Sequence, residues 1–141
     1  MPINKSLIAK KLDFLNQNIA AIERMDFDKA SFIKNSDTHD LVVFRLQQAV
    51  ETCIDITTHL IAESDFPRKE TAKDAFLLLG EVGIIDEELV LKLGKAADFR
   101  NRVVHGYNDF DYSLLYEDFK DNIGDLRNFG AQIIQFLEKQ K

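Results

Sequence analysis

Cysteine, glycine and proline are scarce in this chain, and each scarcity excludes a class of protein. The single cysteine, Cys53, can form neither an intramolecular disulfide nor a multi-cysteine metal site, so a reducing compartment is the simpler assumption. The chain has 6 glycines and 2 prolines among 141 residues, which is typical of neither a fibrous nor a disordered protein. We therefore expect residues 1–141 to form a single globular domain.

Excess positive charge and long apolar runs are also missing. The 18 lysines and arginines are outnumbered by 24 acidic residues, so the protein is not expected to coat DNA or an anionic membrane through its overall charge. Residues 75–79 form the longest notable apolar run, whereas a membrane span needs about 20 residues. Charged side chains interrupt the amino-terminal segment, which therefore lacks the apolar core of a signal peptide. We expect a cytoplasmic protein without a membrane span.

Apolar residues recur at helical spacing, in steps of three and four, along most of the chain. We expect the third helix to stop at Gly80, the fourth to end at Gly106 in a left-handed conformation, and Gly130 to allow close approach of a neighbouring helix. Alternating β-branched runs are absent. The pattern predicts an all-α bundle of about five helices with a central second helix, at residues 5–24, 39–63, 70–79, 87–105 and 115–137.

Most enzyme signatures are absent from the sequence. It contains no glycine-rich phosphate loop, no Gly-x-Ser-x-Gly elbow and no His-Glu-x-x-His zinc helix. His39 and His59 lack partners in a recognisable metal arrangement, and we expect both to be structural. The sequence therefore predicts neither a bound metal nor a cofactor.

The densest group of polar, reactive side chains is the string FRNRVVHGY at residues 99–107. On an ideal helix Asn101 and His105, four residues apart, share a face, whereas Arg100 and His105 diverge by about 140°. A single helix would not direct both Arg100 and His105 at one atom. Two copies that cross about a two-fold axis could do so.

Metal-independent RNA cleavage is the chemistry that suits these groups. Histidine can remove the ribose 2′-hydroxyl proton or protonate the leaving oxygen, and arginine can steady the charged phosphorane. A structural interpretation also fits: Asp98 and Arg102 form an ion pair, His105 complements the helix end and Tyr107 packs over the turn. The residues alone leave both interpretations open.

The string RNRVVHGY, residues 100–107, resembles the signature of the HEPN superfamily and in particular of its HepT-like toxins. That signature is an arginine, four residues, a histidine, one residue and a tyrosine. Two upstream segments, VFRLQQAVETCIDI at residues 43–56 and DAFLLLGEVGIIDEEL at 74–89, resemble the same group in order and spacing. The resemblance runs from Leu41 to the last helix and implies a single, homodimeric HEPN-like domain.

The resemblance also implies site residues and partners. Arg100 and His105 would be the catalytic pair of a metal-independent endoribonuclease toxin, with Asn101 as their polar support. Tyr107 would accept AMP from a cognate minimal nucleotidyltransferase antitoxin, and the added charge would block RNA. The expected partners are thus RNA, the antitoxin and a second or further copy of the chain. Two alternatives remain: a non-catalytic nucleotide- or substrate-binding subunit of a nucleotidyltransferase, and an interaction-only bundle.

Overall fold

A computed structural model describes residues 3–106 and 110–140, which form six helices and no strand. The expected all-α fold is confirmed, with one helix more than the sequence pattern predicts. No helix in these two ranges is both long and apolar enough to cross a bilayer. The helices are α1 (Lys5–Glu23), α2 (Lys29–Lys34), α3 (Ser36–Glu63), α4 (Ala72–Glu81), α5 (Glu87–Val104) and α6 (Tyr112–Lys139).

The long helix α3 lies at the centre of the bundle and contacts each of the other five helices. Its apolar residues spread around much of its circumference, as expected for a central helix. The fully buried positions include Val42, Ala49, Cys53, Ile56 and Leu60. The predicted central position of this helix is confirmed.

Helix α2 is the element that the sequence pattern misses. It has six residues, too few to show helical periodicity, and its single buried residue is Phe32. The Asp28 carboxylate accepts a hydrogen bond from the Ser31 backbone N–H at 2.8 Å, and the Ser31 hydroxyl accepts one from the Asp28 backbone N–H at 3.1 Å. This reciprocal cap starts the helix.

An aromatic cluster surrounds Phe32 and fastens α2 to α3 and α6. The ring centroids of Phe27 and Phe32 are 5.3 Å apart, and Tyr116 and Phe119 complete the packing. Tyr112 lies at one edge, where burial first and the charge of Asp40 second raise the pKa of its hydroxyl. The cluster therefore packs the start of α6 against α2 and α3.

Three expected helix boundaries are wrong, and a local cap explains the two helix starts among them. Asn35 ends α2 and its side chain also caps α3, so α3 begins at Ser36 rather than at residue 39. Thr71 caps α4 and delays its start from residue 70 to Ala72. The same helix passes through Gly80 to Glu81, and the left-handed residue that follows is Gly83, with φ 80°.

The glycine on which helix packing depends is Gly80, not Gly130. A Cβ atom at Gly80 would lie 2.5 Å from Cγ2 of Val90 on α5, which is too close for any side chain. At Gly130 the nearest atoms, on Leu12 and Leu15, would be 3.7 Å away, an ordinary van der Waals distance. The expected close approach at Gly130 therefore does not require glycine, whereas the α4–α5 contact does.

We expect Gly80→Ala to destabilise the protein by about 1–3 kcal/mol, because Val90 is branched at Cβ and cannot move aside without shifting α5. The matched control is Gly124→Ala in α6, where no atom lies within 4 Å of the new Cβ. That variant should gain about 0.5–1 kcal/mol from helix propensity. Urea denaturation measures the free energy of unfolding of both variants. Equal shifts of the same sign would show that α4 and α5 are not in close contact at Gly80.

Candidate active site at the end of α5

Helix α5 carries the polar string to the surface and ends within it. Asp86 caps its first turn by accepting a hydrogen bond from the Leu89 backbone at 2.8 Å. Leu89, Leu93 and Ala97 are buried along one side, which fixes the rotation of the helix in the bundle. The predicted stop is confirmed, because Gly106 has φ 72° directly after the last residues of the helix.

His105 keeps the helical geometry although it follows the last α-helical residue. Its backbone N–H donates to the Asn101 carbonyl at 3.0 Å, as in a regular helical turn. Both side chains are exposed, so the expected shared face of Asn101 and His105 points to solvent. The structure thus brings these two residues together on an open surface.

The Arg100 side chain points away from Asn101 and His105 and reaches α3. Its Nε atom is buried and lies 3.2 Å from Oε1 of Glu51, while its side chain as a whole is 22% exposed. The contact has ion-pair distance but lacks hydrogen-bond alignment. The Arg100 guanidinium is therefore held against α3, apart from the face that Asn101 and His105 share.

The negative charge of Asp98, beside the site, is neutralised by a lysine of α4. Nζ of Lys73, on α4, lies 3.0 Å from the Asp98 carboxylate. A Cβ atom at Gly94 would come within 3.3 Å of the Lys73 stem, so the glycine leaves room for this lysine to cross α5. Lys73 thus reduces the negative charge that Asp98 places near the site.

Arg102 and Phe99 both pack against Phe110, just before α6 begins. The Arg102 guanidinium stacks 4.9 Å above the Phe110 ring, and the Phe99 and Phe110 centroids are 5.7 Å apart. Phe110 in turn contacts Tyr112 at the edge of the aromatic cluster. The expected modification site, Tyr107, lies outside the described residues.

The other two histidines and the cysteine have structural surroundings. Nδ1 of His39 is 2.9 Å from the Phe32 carbonyl, and its ring stacks on Tyr112 at 3.7 Å. His59 lies 3.5 Å from Asp55 on the same helix. Cys53 is fully buried, and desolvation raises the pKa of its thiol far above the usual range, which leaves it unreactive. These surroundings agree with structural roles for His39 and His59.

Glu51 is the site residue that sequence reasoning missed. It is separated from Arg100 by the rest of α3, all of α4, most of α5 and the intervening loops, so no local spacing connects the two. Only the packing of α5 on α3 brings them together. A groove of about 630 Å³ between α1 and α3 extends from Glu51 past Lys10 and the half-exposed ring of Phe14.

Comparison with known proteins identifies the family of this chain and several relatives. The ribonuclease HepT-like family matches residues 15–133. The mRNA nuclease HepT of Shewanella oneidensis is 25% identical over 123 residues, which cover 87% of this chain and 92% of the relative. The tRNA nuclease HepT of Aphanizomenon flos-aquae is 26% identical over 115 residues, covering 81% and 78%.

A solved structure of the tri-AMPylated Shewanella oneidensis HEPN toxin in complex with MNT antitoxin has the same fold. It superposes with a TM-score of 0.85 at 25% identity and covers 91% of this chain and 96% of that toxin. The endoribonuclease of a toxin–antitoxin pair predicted from the sequence is confirmed at the level of the family. The chain belongs to the ribonuclease HepT-like family.

Proposed function

We propose that the protein is a metal-independent endoribonuclease toxin whose active site is the end of α5, with Arg100 and His105 as catalytic residues and Asn101 as their support. The observation that carries the proposal is the placement of these side chains. Arg100 is half-buried and held by Glu51, whereas Asn101 and His105 are exposed one turn apart. One side of this helix end thus presents a cation, and another side presents an imidazole and an amide to solvent.

The proposed reaction needs only these groups and the RNA itself. A histidine base takes the proton of the ribose 2′-hydroxyl, whose oxygen attacks the adjacent phosphorus. The P–O5′ bond breaks, an acid protonates the leaving oxygen, and a 2′,3′-cyclic phosphate remains. Arg100 contributes the forked donors that stabilise the extra negative charge on the phosphorane. The groove beside Glu51 supports a path for a single strand, because Lys10 and Phe14 offer a cation and a stacking ring.

We expect His105→Ala to lower the RNA cleavage rate by about a hundredfold or more, because a general acid or base is lost. The matched control is His59→Ala, which removes a partly exposed histidine from α3 and should leave the rate unchanged. Both mRNA and tRNA should be assayed with excess EDTA, and a DNA strand of the same sequence should remain intact because it lacks the 2′-hydroxyl. Cleavage that EDTA abolishes, or that survives in His105→Ala, would contradict the mechanism.

Regulation through Tyr107 is the second part of the proposal. The toxin in the comparison complex is tri-AMPylated and bound to MNT antitoxin. Tyr107 of this chain follows Gly106 in the sequence and stands two residues after His105. An AMP group on its hydroxyl would add a phosphate charge next to His105 and repel the RNA backbone. We infer that the cognate partner is a minimal nucleotidyltransferase that transfers AMP to Tyr107.

We expect Tyr107→Phe to cleave RNA normally and to resist silencing by the nucleotidyltransferase, since only the acceptor hydroxyl is lost. Tyr116→Phe is the matched control and should remain silenced, because Tyr116 belongs to the aromatic cluster on α6. Growth on co-expression and the intact mass of each variant are the measurements. Silencing of Tyr107→Phe, with no adenylyl mass on the wild-type protein, would refute this switch.

A homodimer completes the proposed site, because Arg100 and His105 lie on different sides of one helix. The apolar surface next to Arg100 supports this arrangement. Phe44 is 47% exposed two turns before Glu51 on α3, and Val104 is 52% exposed one turn after Arg100 on α5. A second copy that covers Phe44 and Val104 would bring the two motif segments together about a two-fold axis.

We expect Phe44→Glu to convert the dimer to monomer and to reduce RNA cleavage in parallel, because a charge would be buried at the interface. Leu91→Glu serves as the control. Leu91 is 72% exposed near the start of α5, well away from Arg100, and its replacement should change neither property. Sedimentation velocity and cleavage assays measure both effects. A wild-type protein that sediments as an active monomer would exclude the dimeric site.

A further inference from the structure

We propose that Glu51 is a positioning residue that holds the Arg100 guanidinium through Nε and leaves its two Nη groups for the scissile phosphate. This inference rests on the proposed function, since it assigns a role within the same site. Glu51 has no place in the 100–107 string, and only the fold connects it with that string.

The contact between the two side chains is specific to one edge of the guanidinium. Oε1 of Glu51 lies 3.2 Å from Nε of Arg100, and Nε is buried. Arginine carries one N–H on Nε and four on its Nη atoms, in a rigid planar fork. Within residues 3–106 and 110–140, the Nη atoms of Arg100 take part in no hydrogen bond. In this part of the chain, the outer edge of the fork is therefore not engaged in any hydrogen bond.

The contact between Glu51 and Arg100 has ion-pair distance without hydrogen-bond alignment, which leaves room for it to tighten. Catalytic hydrogen bonds are often long or misaligned in unbound enzymes and tighten when substrate binds. A phosphate at the Nη atoms would draw the guanidinium outward, and the Glu51 carboxylate opposes this movement by its attraction to Nε. Glu51 thereby limits the positions that Arg100 can take in the transition state.

The charge of Glu51 has a second, opposite effect on RNA. Its carboxylate partly neutralises Arg100 and so weakens the attraction of the free site for phosphate. Loss of the carboxylate should therefore strengthen binding while it loosens the catalytic geometry. Tighter RNA binding together with slower cleavage would distinguish a positioning role from a role in stability alone and from simple competition with phosphate.

Glu51→Gln is the central experiment, because it removes the charge and keeps the shape. We expect kcat for RNA cleavage to fall by about tenfold to a hundredfold, with KM unchanged or lower. Glu51→Asp should reduce kcat as well, since its shorter side chain withdraws the carboxylate from Nε. The matched control is Asp37→Asn, which removes an exposed carboxylate from the first turn of α3, outside the groove beside Glu51. It should leave kcat unchanged.

A double-variant test shows whether Glu51 acts through Arg100. In an Arg100→Lys background, which has no Nε, Glu51→Gln should cause little further loss of kcat. Full additivity of the two losses would overturn the proposal. So would a Glu51→Gln variant with unchanged kcat and a lower melting temperature, or one with raised kcat, which would indicate competition with phosphate.

A spectroscopic measurement tests the pairing independently of catalysis. The Nε–H resonance of Arg100 in ¹⁵N spectra should exchange slowly with solvent in the wild type and in Asp37→Asn. It should exchange fast in Glu51→Gln. A signal that is unaffected by Glu51→Gln would overturn the inference. A wild-type protein that cleaves no RNA but shows the protected signal would refute the proposed function and retain the pairing.

Discussion

The packing of α5 against α3 is the contact on which the site depends. Leu89, Leu93 and Ala97 bury one side of α5, and this burial sets the rotation of the whole helix about its axis. With that rotation fixed, Arg100 faces α3 while Asn101 and His105 face solvent. The separation of the proposed catalytic groups is thus a consequence of core packing rather than of any feature in the polar string itself.

Helical periodicity was sufficient to predict the fold class and the central helix, because long amphipathic helices repeat their apolar residues many times. It failed for α2, where Phe32 is the only buried residue and there is nothing to repeat. The capping pattern of Asp28 and Ser31 was the available signal for this helix. Periodicity also misplaces the starts of α3 and α4, which Asn35 and Thr71 cap, because a cap is a single residue and adds nothing to a repeating pattern.

The site could be predicted only in part from the sequence. A turn at Gly106 and the shared face of Asn101 and His105 follow from local rules, and the structure agrees with both. The partner of Arg100 could not be found in this way, because Glu51 approaches it only after α3 and α5 have packed. The family follows from the match over residues 15–133, which spans the site and five of the six helices in full or in part beside α1.

The absence of a side chain at Gly94 has a consequence for how such a protein can vary. Lys73 crosses α5 at this point and reaches Asp98, so the electrostatic potential near the end of α5 is set partly by α4. Because this ion pair is exposed, it contributes little to folding stability. A substitution of Lys73 therefore changes the potential that a polyanion meets at this surface at small structural cost. The electrostatic surface at the end of α5 and the buried contacts that hold this helix can thus vary independently.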